Sequence, residues 1–312
     1  MRNRYLIALL SILFFAGCKR TKLIREKLYI KIPIASNLCN KPAMNEPCEY
    51  ITVWIHGTKL TPRAILPRIF HTPNGLIKAS SFDGQYHLRT IADTLSSADP
   101  VQYGSGYMFL FGWSGALGFQ ERVEAAKNLY TQLKQVIKAY ELDHHKKPKI
   151  RLITHSHGGN VALNLAKIKD DCPLNIDELI LLACPVQEET APYIKDSLFK
   201  EVFVIYSSLD LLQIVDPQGL YPHDGDRPLF SQRRFPVQDN ITQVKLKLNG
   251  HALFHSDFIR IRLISMLPQI IQHMRTFHDK LACNCQAFDE HDQHILAIYT
   301  QQTKKHRHKK CL

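Results

Sequence analysis

A chain of 312 residues, 45% hydrophobic and 22% charged, has the length and composition of a globular fold with a sizeable core. Its net charge of +12 lies at the two ends, because basic residues crowd 2–31 and 304–312 and leave residues 32–303 close to neutral. A nucleic-acid-binding fold carries its positive charge on a structured face. This distribution therefore argues against nucleic acid as a partner.

The first 18 residues have the organisation of an export signal. Arg2 and Arg4 precede an apolar run over 5–16, which is shorter than the roughly 20 residues that cross a bilayer. The ending Phe-Ala-Gly-Cys at 15–18 resembles the lipobox of bacterial lipoproteins, with Phe where Leu is usual. The resemblance implies cleavage before Cys18 and lipidation of its thiol. We expect an exported protein held at a membrane by Cys18 and basic flanks; the alternative is a secreted protein with an ordinary signal.

Further along the chain, apolar runs rich in Val, Ile and Leu alternate with helical patterns. Strands are predicted at 50–55, 107–111, 150–154, 178–183, 201–206 and 243–248, with a possible edge strand at 27–34 that contains Pro33. Helices are predicted at 86–97, 119–142, 159–168 and 258–277, and long loops at 57–85 and 211–240. The alternation predicts an α/β fold, a doubly wound, mainly parallel sheet of six to seven strands with helices on both faces.

The strongest chemical signal is Thr154-His155-Ser156-His157-Gly158, where a predicted strand ends and a helix begins. A sharp turn of this kind exposes a serine hydroxyl at the edge of the sheet, as a nucleophile elbow requires. Small residues two positions either side of the serine let strand and helix pack closely, although Thr154 is larger than the usual Gly. Ser156 is the candidate nucleophile.

A serine nucleophile needs a base, and the base needs an orienting acid. Asp210 follows the strand at 201–206 and His251 follows the strand at 243–248, in the order Ser, acid, His that this kind of fold uses. Asp216 is the rival acid and His255 the rival base.

Two backbone N–H groups are also needed to receive the negative oxygen that develops during acyl transfer. One is expected from His157, the residue after the nucleophile. The other is expected from Thr58, because the strand at 50–55 runs into the turn His56-Gly57-Thr58.

Four segments together resemble bacterial lipases of the α/β-hydrolase superfamily, most closely the small secreted Bacillus-type lipases. They are Val53-Trp54-Ile55-His56-Gly57, His155-Ser156-His157-Gly158-Gly159, Ile205-Tyr206-Ser207-Ser208-Leu209-Asp210 and Gly250-His251-Ala252-Leu253. The likeness spans about residues 50–270 and implies that Asp210 and His251 complete the triad, rather than Asp216 and His255. The sequence departs from the pattern at His157, where Met is frequent, and in longer insertions at 59–100 and 211–240.

The predicted function is a serine hydrolase that cleaves a carboxylic ester, in particular a lipid ester, through an acyl-enzyme and without a cofactor or metal. An acyltransferase or thioesterase would use the same triad, and a lipoprotein that binds lipid or a partner without catalysis is an alternative of another class. The predicted domains are a signal peptide at 1–18, a basic segment at 19–48, an α/β-hydrolase domain at 49–280 and a polar, His-rich tail at 281–312.

Overall fold

The computed structural model describes residues 27–32, 49–58, 73–171, 173–216, 230–236, 238–283 and 295–300. The predicted signal peptide, Cys18 and the end of the basic tail lie outside these residues. Among the helices that are described, none combines the length and the apolar composition needed to span a bilayer.

Within these ranges, ten strands join in one sheet. They are β1 (Lys27–Ile32), β2 (Tyr50–Ile55), β3 (Gly75–Lys78), β4 (Met108–Gly112), β5 (Lys149–His155), β6 (Ile176–Leu182), β7 (Phe199–Tyr206), β8 (Ile241–Leu248), β9 (His251–Ala252) and β10 (Ile295–Thr300). Their order is β1-β10-β8-β7-β6-β5-β2-β4-β3, with β9 beside β8. Neighbours pair in parallel except β3 with β4 and β9 with β8. The predicted α/β class and mainly parallel sheet are confirmed.

The sheet is larger than the six to seven strands predicted. The six central strands and the edge strand β1 lie where the sequence pattern placed them, whereas β3, β9 and β10 were missed. β10 lies in the segment expected to be a polar tail, between β8 and β1. Its short apolar run becomes a strand because it pairs on both sides with strands distant in sequence, which local periodicity does not reveal.

Six α-helices of the described chain cover the sheet. They are α1 (His87–Ala98), α2 (Phe119–His144), α3 (Gly158–Leu163), α4 (Leu165–Ile168), α5 (Ile261–Ile264) and α6 (Leu267–Cys283). The helix predicted over 258–277 is interrupted and consists of a 3₁₀ turn at His255–Ile259, then α5, then α6. Pro268 accounts for the last break, because proline is tolerated in the first turn of a helix but not in its interior.

The helices occupy both faces of the sheet, as predicted, and each face has its own apolar core. Val53 and Leu152 point to the face that α2 and α3 cover, and Trp54 and Ile153 point to the face that α1 and α6 cover. This alternation fixes the register of the parallel strands. The carboxyl ends of β2, β5, β7 and β8 consequently meet at one edge of the sheet, where the predicted reactive residues follow them.

Candidate active site

The turn after β5 holds Ser156 in a strained conformation. Its φ of 54° is unusual for a residue with a side chain, and its N–H donates to the carbonyl of Leu182 at 2.9 Å. A Cβ at Gly158 would lie 2.5 Å from the carbonyl oxygen of Ile55, so the next strand approaches too closely for any other residue. Thr154 fits where Gly is usual because its hydroxyl is buried and donates to Ile180 O at 3.2 Å. The turn has the sharpness expected of a nucleophile elbow.

Asp210 lies in the loop after β7, with its carboxylate fully buried. The carboxylate accepts the N–H of Gln213 at 3.0 Å, and Nδ1 of His255 donates to its two oxygens at 3.0 Å and 2.9 Å. Arg233 holds the backbone of Asp210 by donating from Nη2 to its carbonyl at 2.9 Å. With its proton on Nδ1, His255 keeps Nε2 free to accept a proton.

The structure therefore pairs Asp210 with His255, and not with His251 as the resemblance implied. His251 is exposed on β9, where it pairs with Leu248 of β8. Asn249 and Gly250 both have positive φ, 51° and 81°, and make a two-residue hairpin turn. The chain doubles back on β8 before it returns to the carboxyl edge, so the histidine at that edge is the one four residues later. Asn-Gly between two extended runs is a sequence signal for such a hairpin, but the identity of the histidine that reaches Asp210 depends on how the loops pack.

The base loop and the acid loop are joined by a second contact. The backbone N–H of Leu253 donates to Ser207 Oγ at 2.7 Å, and both residues are buried. Ser207 thus fixes the segment before His255 against the segment before Asp210. Sequence reasoning assigned it no role.

The rival acid, Asp216, belongs to a different buried network behind the nucleophile. Its carboxylate accepts from Ser231 Oγ at 2.8 Å and from Gln187 Nε2, and its other oxygen lies 3.3 Å from His157 Nε2. Burial by itself raises the pKa of Asp216, but the contact with His157, the hydrogen bond from Ser231 and the charge of Arg122 together outweigh burial and lower it. Asp216 therefore lies against His157, whereas the hydrogen bonds of His255 go to Asp210.

His157 is neutral in this network. Two donors, Arg122 Nη1 at 3.1 Å and Asn160 Nδ2 at 3.2 Å, point at its Nδ1, so this nitrogen accepts and the proton resides on Nε2. Burial is the main reason that the pKa of His157 is lowered, and the charge of Arg122 acts in the same direction. Its side chain is held in this buried network, and its backbone lies at the N-cap of α3, where N–H groups have no partner within the helix.

His155 is a further buried neutral imidazole at the elbow. Burial, followed by the charge of His255, lowers its pKa to about 3. Its Nε2 donates to the carbonyl of His255 at 3.2 Å, and the two ring centroids are 4.7 Å apart. His155 thus contacts His255 directly, which places His255 beside the Ser156 turn.

The turn after β2 is packed against the nucleophile. Trp113 holds it by donating from Nε1 to the carbonyl of His56 at 2.8 Å and from its backbone N–H to His56 Nε2 at 3.2 Å. A Cβ at Gly57 would lie 2.7 Å from Cβ of Ser156. Thr58, expected to supply the second oxyanion N–H, follows directly at the end of this turn.

Gly57→Ala should therefore disturb the site. The added methyl would displace either the nucleophile or the turn, and such overpacking costs roughly 1–3 kcal/mol. We expect the free energy of unfolding to fall by about this amount and the rate of Ser156 acylation to fall at least about tenfold. Gly106→Ala is the matched control, because a Cβ there meets nothing within 4 Å. Equal behaviour of the two variants would contradict the close packing at Gly57.

The neutral state of His155 should make the fold sensitive to acid. Between its ordinary pKa of 6.5 and about 3, the unfolded chain binds a proton on this side chain and the folded chain does not. Unfolding therefore takes up a proton in this window, and stability falls as the pH falls, by up to about 1.4 kcal/mol per pH unit. Denaturant unfolding of His155→Gln between pH 6 and pH 4 should show a shallower pH slope than the parent, whereas the exposed control His251→Gln should keep the parent slope.

A comparison with known families supports the fold assignment. Residues 120–210 match a family described as a PGAP1-like alpha/beta domain. The matched segment runs from α2 through the Ser156 turn to Asp210, and in the structure it forms the centre of a mainly parallel sheet covered on both faces. The fold is that of an α/β hydrolase. In an α/β hydrolase the nucleophile, the acid and the base follow one another in that chain order. Ser156 follows β5, Asp210 follows β7 and His255 follows the β8–β9 hairpin, which is the same order.

Other comparisons add little to this α/β-hydrolase assignment. One similar solved structure is phospholipase PlaB from Legionella pneumophila in complex with thio-NAD, at 17% identity and a TM-score of 0.24. The match covers 44% of this chain and 25% of that protein, so the chain spans about a quarter of its length. No curated protein matches the chain. In the part of the chain that is described, no group of three or more His, Cys, Asp or Glu side chains could hold a metal ion.

Proposed function

We propose that this protein is a serine hydrolase that cleaves a carboxylic ester, with Ser156 as nucleophile, His255 as base and Asp210 as orienting acid. The observation that carries the proposal is the pairing of buried Asp210 with half-buried His255, at 2.9 Å, beside the strained turn of Ser156. The proposal keeps two members of the triad expected from sequence and replaces His251 by His255.

In the first half-reaction, Ser156 Oγ attacks the carbonyl carbon of the ester while Nε2 of His255 takes the hydroxyl proton. Asp210 holds the imidazole by accepting from Nδ1 and stabilises the positive charge that forms on the ring. The negative oxygen of the tetrahedral intermediate is received by the N–H groups of His157 and Thr58. His255 then returns the proton to the departing alcohol, leaving an ester of Ser156.

In the second half-reaction, His255 removes a proton from water as the water attacks the acyl-enzyme. The tetrahedral intermediate collapses, Ser156 regains its proton from His255, and a carboxylic acid is released. Proton transfer by a positioned histidine contributes roughly 10²–10⁴-fold to reactions of this kind.

A lipid ester is the proposed substrate class. It is supported by the resemblance of four segments to bacterial lipases and by the match of residues 120–210 to the PGAP1-like domain. An acyltransferase or thioesterase would use the same groups and differ only in the acceptor or the leaving group. A lipoprotein that only binds lipid would not require an orienting acid and a base beside a strained serine.

A fluorophosphonate probe tests the proposal directly. The parent protein should be labelled covalently on Ser156, as located by peptide mass spectrometry, and Ser156→Ala should not be labelled. Short- and long-chain esters, phospholipids and acyl thioesters offered to both proteins would then define the substrate. Absence of labelling in a folded parent protein would leave the non-catalytic alternative.

We also propose that the protein is exported and anchored through a lipid on Cys18. This rests on the signal-like sequence at 1–18 alone. Mass spectrometry of the membrane fraction should find an N-terminal lipidated Cys18, and Cys18→Ala should release the protein from that fraction. An unmodified Cys18 in the mature protein would contradict the anchor.

A further inference from the structure

Large apolar side chains are exposed around the candidate site and rarely elsewhere in the described residues. The described residues include seven exposed large apolar side chains. Five of the seven lie in the two loops that carry Asp210 and His255: Leu209, Leu211, Leu212, Phe254 and Ile261. We call these five the apolar rim. Phe254 is the most exposed of them, at 61%, and directly precedes His255. Clustered exposed apolar residues generally mark an interaction surface.

The rim belongs to one face because its two loops are bound together. The loop at 207–216 and the loop at 253–262 meet through the Asp210–His255 pair at 2.9 Å and through the bond from Leu253 N–H to Ser207 Oγ at 2.7 Å. Asp210 and His255 point inward, and their neighbours in sequence point outward. The exposed side chains of the two loops therefore lie next to the Asp210–His255 pair.

The exposed charge on these two loops is positive. Their acidic side chains are Asp210, Asp216 and Asp257, and all three are largely buried, with exposures of 0%, 2% and 15%. Arg260 is 70% exposed while its Nε lies 3.0 Å from Oδ1 of Asp257, and Arg262 is also exposed on the other side of Ile261. A face with exposed Leu, Phe and Ile flanked by Arg and with its acids withdrawn complements an anionic lipid surface.

We propose that the apolar rim docks the protein on an anionic lipid surface, so that an ester enters the site from the lipid phase. The inference deepens the proposed function and rests on it for the role of the site. Rim side chains would leave water for the acyl region, while Arg260 and Arg262 would lie at the level of the headgroups. The docking is a property of the folded domain and is separate from any anchor at Cys18.

Vesicle binding of the full chain tests this docking independently of catalysis. Ser156→Ala is used as the parent so that lipid is not consumed, and cosedimentation is measured with phosphatidylcholine vesicles with and without phosphatidylglycerol. Adding Leu211→Gln and Leu212→Gln should weaken vesicle binding about tenfold, because these variants transfer less apolar surface from water into the lipid. The matched control adds Val101→Gln and Leu142→Gln. These alter the two large apolar side chains that are exposed outside the rim in the described part of the chain, and they should change binding less than twofold.

A second variant tests the charge. Arg260→Gln with Arg262→Gln should reduce the gain in binding that phosphatidylglycerol provides by severalfold, and should leave binding to phosphatidylcholine alone almost unchanged. All variants share the same two ends of the chain, so differences among them report on the rim. An equal phosphatidylglycerol response in this variant and its parent would remove the electrostatic part of the proposal.

Three results would overturn docking. Equal vesicle binding by the rim variant and its control is the first. A rim variant that changes from dimer to monomer without losing vesicle binding would make the rim an interface between copies. A rim variant with a lower Tm and unchanged vesicle binding would show that the rim is covered within the chain. Failure of the proposed function would appear separately, as absence of probe labelling on Ser156 in the otherwise unchanged protein.

Discussion

His255→Ala should lower kcat/KM for a soluble ester by about a thousandfold or more. The substitution removes the imidazole that Asp210 holds at 2.9 Å, and with it the group that takes the proton of Ser156. Because the proton transfer occurs in the transition state, the loss should fall mainly on kcat. Initial rates over a range of substrate concentrations, with burst kinetics to follow the acyl-enzyme, measure the effect.

The control for this substitution lies four residues away. His251→Ala removes an exposed imidazole on β9 and should leave kcat/KM within about twofold of the parent. The pair of variants distinguishes the triad of the structure from the triad implied by the sequence resemblance. A large loss in His251→Ala with activity retained in His255→Ala would restore the original assignment and refute the proposed base.

Asp210→Asn should lower kcat by roughly a thousandfold while preserving the shape of the side chain. The neutral amide can present its nitrogen to His255, which favours the proton on Nε2 and so blocks the nitrogen that must act as base. It also removes the negative charge that stabilises the imidazolium. Steady-state kinetics and the rate of fluorophosphonate labelling should fall together, and the substrate KM should change little.

Asp216→Asn is the matched control for Asp210→Asn. Asp216 accepts from Ser231 and lies 3.3 Å from His157 in the network behind the elbow, so its loss should reduce kcat by at most about tenfold. It should lower the free energy of unfolding, by about 1–3 kcal/mol, because it weakens a buried hydrogen-bond network. If Asp216→Asn lost activity as severely as Asp210→Asn at an unchanged Tm, Asp216 would have to be reconsidered as the orienting acid.

The sequence was most informative where local pattern and local chemistry coincide. β2, β5, β6 and β7 contain runs of apolar residues because a parallel strand is buried on both faces. These runs allowed the strands to be predicted from the sequence. The Ser156 turn could also be predicted from the sequence, because a strand, a sharp turn and a helix follow one another without a gap. Both features depend on residues adjacent in the chain.

The pairing of buried polar side chains could not be predicted from the sequence. Arg151 and Glu178 occur in apolar strands, and the structure buries both and joins Arg151 Nε to Glu178 Oε2 at 2.5 Å. His157 and Asp216 likewise meet across 59 positions of sequence, at 3.3 Å. A buried charge requires a partner, but its identity depends on which strands and loops become neighbours.

The choice of the base shows where sequence and tertiary structure divide. The sequence alone predicted the fold class and the candidate nucleophile. It also predicted that an acid and a histidine would follow later strands. Which histidine reaches Asp210 was decided by the hairpin at Asn249-Gly250, which directs His251 to solvent and returns the chain to the sheet edge at His255. Strand pairing brings distant residues together, and because pairing depends on the whole sheet, a one-dimensional pattern can rank such candidates but cannot select among them.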